Sequence, residues 1–144
     1  METETKNYTF SFESSQTPQT IFETLIDVRK WWVGLFDEDI QGNSDILYEE
    51  FTFRAGDGIH YSRQQLNDLI HNQKVFWKVT ESYHSFIEKT DEWTNTKFGF
   101  EISKEGDKSK VTFTHYGLVP KFECYNDCSS AWTQYLEILA EKLK

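Results

Sequence analysis

The sequence predicts an α+β protein in which one long C-terminal helix lies across the concave face of a curved antiparallel sheet. Residues 111–116 alternate, so that Val111, Phe113 and His115 point to one side of a strand and its threonines to the other. In residues 131–144, apolar side chains recur every three or four positions, which is typical of an amphipathic helix. A helix packed on a curved sheet would bury both patterns at once. The apolar face of the helix consists of Cys128, Trp132, Tyr135, Leu136, Leu139 and Leu143.

The chain begins with a strand followed by a capped helix. Large aromatic side chains alternate with small polar ones over residues 8–12, which predicts a half-buried strand. Thr17 and Pro18 are residue types preferred at an N-cap and at the first helical position. A second short helical or irregular piece is expected to begin at Trp31-Trp32 and to end before the turn residues Gly42-Asn43. The apolar stripe of the first helix consists of Ile21, Phe22, Leu25 and Val28.

Alternation predicts further strands in the middle of the chain. Residues 46–54 are expected to form a strand with Leu47, Glu49, Phe51 and Phe53 on one face, so Glu49 would point into the mouth of the barrel. The other predicted elements are a hairpin turn at Asp57-Gly58, strands at 75–80 and 97–103, and a turn at Glu105–Asp107.

The stretch from residue 63 to residue 70 is ambiguous by its pattern alone. Leu66, Leu69 and Ile70 have helical spacing, but the segment could equally be an extended strand that begins at Ile59.

The order of these elements resembles the activator of heat-shock protein 90 ATPase homologue family, within the START/Bet v 1-like (SRPBCC) superfamily. The resemblance covers nearly the whole chain, through FSFESSQTPQTIFETLIDVRKWW, KVFWKV, VTFTHYGL and AWTQYLEIL. Its most specific part is the pair His115 and Gly117 at a strand end, followed by Trp132 early in the last helix. Ala131 stands where members usually have glycine.

This resemblance implies a helix-grip fold formed by residues 1–144 as a single domain. Two short helices would follow the first strand, and the curved sheet would wrap around the C-terminal helix. The family has one long strand that runs into a turn at residues 71–73, so the resemblance favours a strand for residues 63–70.

The composition limits the partners. A net charge of −9 and the lack of a Lys/Arg cluster argue against binding to nucleic acid or to an anionic membrane surface. No apolar run is long enough to span a bilayer, and the N-terminus lacks the basic start and apolar core of a signal peptide. We therefore expect an acidic cytoplasmic protein.

No catalytic or metal-ligating set stands out, so the expectation is no enzyme, no metal and no cofactor. Cys124 and Cys128 stand four apart, which is not a common zinc spacing and gives poor disulfide geometry. Cys128 is interpreted as a core residue, with a reactive thiolate at the helix start as the alternative. His115 is expected to be a hydrogen-bonded core histidine rather than an acid or base. No shared site is predicted from the spacing of His60, His71 and His84.

The aromatic residues predict a ligand cavity between the sheet and the last helix. In relatives of the superfamily, the segment after the first helix forms the lid of a cavity. The sequence leaves open whether the rings surround such a cavity or simply fill the interior. The candidate ligand-binding residues are Trp31, Trp32, Phe36, Glu49, Phe51, Trp77, Phe98, Phe100, Phe113, His115, Trp132 and Tyr135.

Three functions follow as hypotheses. The first is a non-catalytic domain that binds a hydrophobic or aromatic small molecule. The second, implied by the resemblance, is a co-chaperone-like module that binds a heat-shock protein 90-type chaperone and stimulates its ATPase. The eukaryotic co-chaperone has a further N-terminal domain, for which 144 residues leave no room. The third, ranked last because no nucleophile or acid/base set can be named, is an enzyme of the cyclase or hydrolase type.

Overall fold

A computed structural model describes residues 7–56, 59–120, 122–123 and 125–144. Within these residues the chain forms seven strands, two α-helices and a short 3₁₀ helix. In chain order the elements are β1 (Tyr8–Ser14), α1 (Pro18–Leu25), the 3₁₀ helix (Val28–Lys30), β2 (Asp39–Gly42), β3 (Glu50–Ala55), β4 (His60–Ile70), β5 (Lys74–His84), β6 (Lys97–Glu105), β7 (Lys108–Tyr116) and α2 (Tyr125–Lys142).

The strands form one antiparallel sheet in the order β1-β7-β6-β5-β4-β3-β2. The first strand pairs with the last, with Tyr8 opposite His115, so α1 and the 3₁₀ helix belong to the connection between the two edges of the sheet. The pairing of β4 with β5 contains two register shifts, which are irregularities that bend strands. Ring contacts of Trp132 with Phe98 and Phe113 place α2 against the inner face of the sheet. The predicted helix-grip α+β fold is confirmed.

The helix start predicted for α1 and the apolar face predicted for α2 are both present in the structure. The Thr17 hydroxyl accepts a hydrogen bond of 3.1 Å from the backbone N–H of Thr20, and Pro18 occupies the first turn of α1. The hydroxyl of Ser14 donates to the carbonyl of Leu143, which ties the end of β1 to the chain just beyond α2. The predicted apolar face of α2 is confirmed, because all six of its residues are buried.

The strand assignment of residues 63–70 is confirmed, since they lie within β4. The prediction of a strand over 46–54 is wrong at its start, because β3 begins only at Glu50. Before that residue the chain forms an irregular loop in which Tyr48 has a positive φ of 71°. The prediction of a second helical or irregular piece from Trp31-Trp32 to before Gly42 is wrong at both ends, because the 3₁₀ helix ends at Lys30 and the edge strand β2 begins at Asp39. The Asp57-Gly58 turn and Cys124 lie outside the described residues.

A glycine allows an aromatic ring to cover the outer face of the sheet. Phe76 points away from α2, yet it is only 1% exposed. Its ring lies near Tyr116, and the ammonium group of Lys97 lies 5.7 Å from its centroid. Gly99 is its partner across β5 and β6, and a Cβ there would lie 2.0 Å from the carbonyl oxygen of Val75 and 2.6 Å from the Phe76 Cα. Only glycine fits without a shift of the backbone.

We therefore expect Gly99→Ala to lower the free energy of unfolding by about 1–3 kcal/mol, the usual range for overpacking. The atoms that the new methyl group would meet are mostly backbone atoms of the paired strand, so the strands themselves would have to move. Urea unfolding measures the effect. Ser103→Ala on the exposed part of β6 serves as a matched control and should change the value by no more than about 0.5 kcal/mol. Equal stability of both variants would contradict the close approach.

Candidate functional site

An apolar cavity of about 240 Å³ opens at one end of the sheet, beneath the N-terminal half of α2. Its walls come from the segment after the 3₁₀ helix, the end of β3, the start of β4, the connection between β5 and β6, and α2. No residue of α1 lines it. The lining residues are Trp32, Phe36, Phe53, Ala55, Gly56, Ile59, His60, Phe86, Trp93, Asp127, Cys128, Ala131, Trp132 and Tyr135.

Four nearly parallel aromatic rings form a stack along this cavity. Trp32 stacks on Phe53 with centroids 3.8 Å apart, and on Trp132 with centroids 5.1 Å apart. Trp132 in turn lies 5.7 Å from Trp93, with an angle of 11° between the planes. Flat aromatic ligands pack favourably on such surfaces in offset or edge-on arrangements. Partly exposed rings, such as Phe36 and Phe86, stand at the opening.

One end of the cavity carries polar rings. His60 lines the cavity, and its partner across β4 and β5 is His84, with ring centroids 4.2 Å apart. Trp93 lies against both, at 4.8 Å from His60 and 5.0 Å from His84. Within the described residues, four buried nitrogen atoms of these rings have no hydrogen-bond partner. They are His60 Nε2, His84 Nδ1 and Nε2, and Trp93 Nε1.

The half-buried His60 and the fully buried His84 and His115 are uncharged at neutral pH. Burial lowers the pKa of His84 to about 4 and that of His115 to about 3. Burial also brings the pKa of His60 well below 6.5, and the nearby His84 and His115 lower it further. A protonated imidazole would lose its hydration in these surroundings. The cavity therefore offers neutral imidazole rather than a positive charge.

His115 lies behind the cavity wall and has both ring nitrogens paired. The indole N–H of Trp132 donates to its Nδ1 at 3.0 Å. Nε2 therefore carries the proton of the neutral ring and donates to the Thr96 hydroxyl at 2.8 Å. That hydroxyl donates to the carbonyl of Trp93 at 2.6 Å. The prediction of a hydrogen-bonded core histidine is confirmed.

The carboxylate of Glu38 ties the segment after the 3₁₀ helix to α2. It accepts hydrogen bonds from the backbone N–H groups of Gly34, Leu35 and Phe36 and from the Tyr135 hydroxyl. Partial burial would raise the pKa of Glu38, but these hydrogen bonds outweigh it, and the pKa lies below its ordinary value. Burial, and then the hydrogen bond to Glu38, raises the pKa of Tyr135. One side of the opening is thus held by a hydrogen bond to an ionised carboxylate.

The structure brings four of the twelve candidate residues to the cavity: Trp32, Phe36, Trp132 and Tyr135. His115 lies one residue further in, behind Trp132. The expectation that Glu49 points into the barrel mouth is wrong. Its side chain is exposed, because the strand begins after it, and it accepts a hydrogen bond of 2.8 Å from Asn43. The remaining candidates are core rings that do not line the cavity, namely Trp31, Phe51, Trp77, Phe98, Phe100 and Phe113.

The sequence interpretation missed the polar end of the cavity. The spacing of His60 and His84 predicts no shared site, yet their rings face each other across β4 and β5. The turn predicted at residues 71–73 is the signal that points to this pair. A turn there pairs β4 with β5 so that the two residue numbers of each pair sum to about 144, as for Ile70 and Lys74 and for His60 and His84. Trp93 lies in an irregular connection, where no periodicity indicates its position.

The side chains that line the cavity are chiefly apolar. Cys128 is buried and lines the cavity, as its interpretation as a core residue requires. In the described part of the chain, no group of three or more His, Cys, Asp or Glu side chains could hold a metal ion. Nor is any helix there long and apolar enough to cross a membrane.

Comparison with known proteins finds similarity at the level of structure. No protein-family model matches the sequence, and no curated protein matches it. A solution structure of the Aha1 dimer from Colwellia psychrerythraea superposes with a TM-score of 0.72 at 20% identity, over 96% of both chains. The AHSA1 protein from Silicibacter pomeroyi gives a TM-score of 0.69 at 16% identity, covering 96% of this chain and 97% of that one.

A third solved structure, a protein from Mesorhizobium loti, gives a TM-score of 0.70 at 14% identity, covering 94% of this chain and 95% of that one. At such identities the likeness concerns the fold. The resemblance that the sequence suggests is confirmed at this level: the chain has the same helix-grip fold as these Aha1 and AHSA1 proteins.

Proposed function

We propose that this protein is a non-catalytic binding domain that holds a small aromatic molecule in the cavity beneath α2. The observation that carries the proposal is the cavity itself, about 240 Å³ in volume and lined chiefly by aromatic and aliphatic side chains. Concave apolar sites with a few polar groups are the usual form of small-molecule sites. Trp32, Phe36, Trp132 and Tyr135 are the ligand contacts that we retain from the sequence prediction.

The size of the cavity restricts the ligand. Pockets for drug-sized molecules have volumes of roughly 300–1,000 Å³, so this cavity suits a smaller molecule with one or two fused rings. The nearly parallel rings of Trp32, Phe53 and Trp132 favour a flat ligand over a branched aliphatic one. The exposed rings of Phe36 and Phe86 at the opening would be covered by a bound molecule.

Thermal unfolding with a panel of small aromatic compounds tests this proposal. A ligand that binds only the folded state at 100 times its Kd adds about 2.7 kcal/mol to the stability and raises Tm. Ala131→Phe places a ring in the cavity wall, so we expect it to abolish the shift. Ser130→Phe, one residue earlier on an exposed position, is the matched control and should keep it. If no compound shifts the wild-type Tm, or if Ala131→Phe leaves binding unchanged, the cavity is not the site.

A second candidate is the co-chaperone-like role. The observation in its favour is the structural similarity to Aha1 and AHSA1 proteins over nearly the full length of each chain. This candidate predicts that the protein raises the ATPase rate of a heat-shock protein 90-type chaperone on mixing. Because the effect would depend on the surface rather than on the cavity, Ala131→Phe should leave it intact. An unchanged ATPase rate at saturating concentrations would rule this candidate out.

A further inference from the structure

We infer that the ligand carries, on its aromatic ring system, one uncharged head group that both donates and accepts a hydrogen bond, such as a phenolic hydroxyl or a carboxamide, and that this group binds the imidazole of His60. The inference rests on the proposed function, because it names the chemical class of molecule that the same cavity takes. It is carried by the polar end of the cavity and by the charges around it.

The first step concerns hydrogen-bonding capacity at His60. Its imidazole lines the cavity beside Trp93, with His84 behind them, and His60 Nε2, both ring nitrogens of His84 and Trp93 Nε1 have no partner within the described residues. Buried polar groups in native proteins are paired in the great majority of cases, so such a cluster needs an explanation. A ligand head group that hydrogen-bonds to the imidazole of His60 would pair one ring of this cluster. A purely apolar ligand would pair none of them.

The second step concerns the type of head group. A neutral imidazole has one N–H donor and one acceptor nitrogen, and burial keeps His60 neutral at physiological pH. A hydroxyl or carboxamide can pair with either nitrogen, whichever tautomer is present. A group that only accepts or only donates would fit one tautomer alone.

The third step excludes charged head groups. Asp127, an exposed residue in the first turn of α2, is the only described lining residue with a formal charge at neutral pH, and the chain has a net charge of −9. A carboxylate ligand would therefore lose its hydration and meet no cation among the described lining residues. An ammonium group would be attracted by the aromatic rings. Its one carboxylate partner among the described lining residues is Asp127, which is exposed, so solvent would weaken that attraction.

Four compounds with the same ring system separate these possibilities: naphthalene, 2-naphthol, 2-naphthoate and 2-naphthylmethylammonium. Calorimetric or fluorescence titration of the wild-type protein at pH 7.5 gives four values of Kd. We expect 2-naphthol to bind about 3- to 10-fold more tightly than naphthalene, as one neutral hydrogen bond contributes. Both charged compounds should bind more weakly than 2-naphthol.

Variants connect this preference to His60. His60→Phe keeps a ring in the wall and removes the hydrogen bond, so 2-naphthol and naphthalene should then bind within twofold of each other. His71→Phe replaces an exposed histidine outside the cavity and should keep the preference. His60→Gln retains a donor and an acceptor, and it should keep most of the preference if the phenylalanine variant does not fold.

The outcomes distinguish this inference from the proposed function. If naphthalene and 2-naphthol bind the wild type equally, or if a charged compound binds best, the inference is overturned while the cavity remains a binding site. A preference for 2-naphthol that survives in His60→Phe likewise overturns the role of His60. Binding of none of the four compounds overturns the proposed function, and the inference falls with it.

Discussion

Trp132→Ala should lower the free energy of unfolding by about 3–5 kcal/mol, toward the upper end of that range. The side chain is only 2% exposed and lies 4.6 Å from the Phe113 ring and 5.1 Å from the Trp32 ring. Its removal leaves a cavity between α2 and the sheet. It also leaves Nδ1 of His115 without its donor, and an unpaired buried acceptor costs about 1–3 kcal/mol by itself.

Two variants divide this loss into its parts. Trp132→Phe keeps most of the apolar volume but removes the indole N–H, so it should cost less than the alanine variant. Ile138→Ala removes an apolar side chain that is 46% exposed on the same helix, and it should change stability by no more than about 0.5 kcal/mol. Urea unfolding monitored by circular dichroism measures all three. A loss below about 1 kcal/mol for Trp132→Ala would show that this residue does not anchor α2.

Acidification should unfold this protein well above the pH at which most carboxylates titrate. In the folded state burial lowers the pKa of His84 to about 4 and that of His115 to about 3, whereas an unfolded histidine titrates near 6.5. The folded state thus binds fewer protons below pH 6.5. The stability from these groups is full above that pH and is lost as the pH falls toward about 4 and about 3.

The free energy of unfolding should depend steeply on pH. Each of these two histidines costs about 1.4 kcal/mol per pH unit below 6.5, or about 3 kcal/mol together, and His60 acts in the same direction. Over two pH units this approaches the whole stability of a typical domain, which is about 5–15 kcal/mol. The slope of the free energy of unfolding against pH, measured between pH 5 and 6.5, should therefore correspond to the uptake of two to three protons on unfolding.

A pair of variants identifies the groups responsible. His84→Phe removes a titrating ring whose nitrogens have no hydrogen-bond partner in the described residues, so the slope should drop by about one proton. Ser103→Ala, at an exposed position without a titrating group, serves as the control and should leave the slope as it is. A wild-type slope of less than one proton in this window would mean that these histidines accept protons without unfolding.

The sequence predicts most of this fold because several signals in it are local. The Thr17-Pro18 helix start depends on neighbouring residues alone, and the alternation around Phe113 directly reports two faces of a strand. The four-residue edge strand β2 has a largely exposed pattern and was missed, since no apolar alternation marks it. Residues 63–70 needed the family resemblance, because the inward side chains of that strand include the polar residues Ser62 and Gln64.

The site is less predictable than the fold. The alternation along a strand shows which side chains point inward, but it does not show which of these line the cavity and which fill the core. Phe98 and Trp132 both point inward, yet only Trp132 lines the open space. Which inward rings touch each other depends on sheet curvature and on strand register, which act over long sequence separations. His60 and His84, 24 residues apart, illustrate the point, since only the register of β4 on β5 joins them.

The hydrogen bonds of the buried indoles make the protein its own spectroscopic probe. Trp31 and Trp77 donate to backbone carbonyls, of Leu25 and Ser44, whereas Trp132 donates to a ring nitrogen of His115. Their side-chain N–H protons therefore experience different acceptors, and each can exchange with deuterium only when its surroundings open. Trp132 borders the cavity while Trp31 and Trp77 do not. In an NMR spectrum its indole signal can report occupancy of the cavity, with the other two as internal references and without any added label.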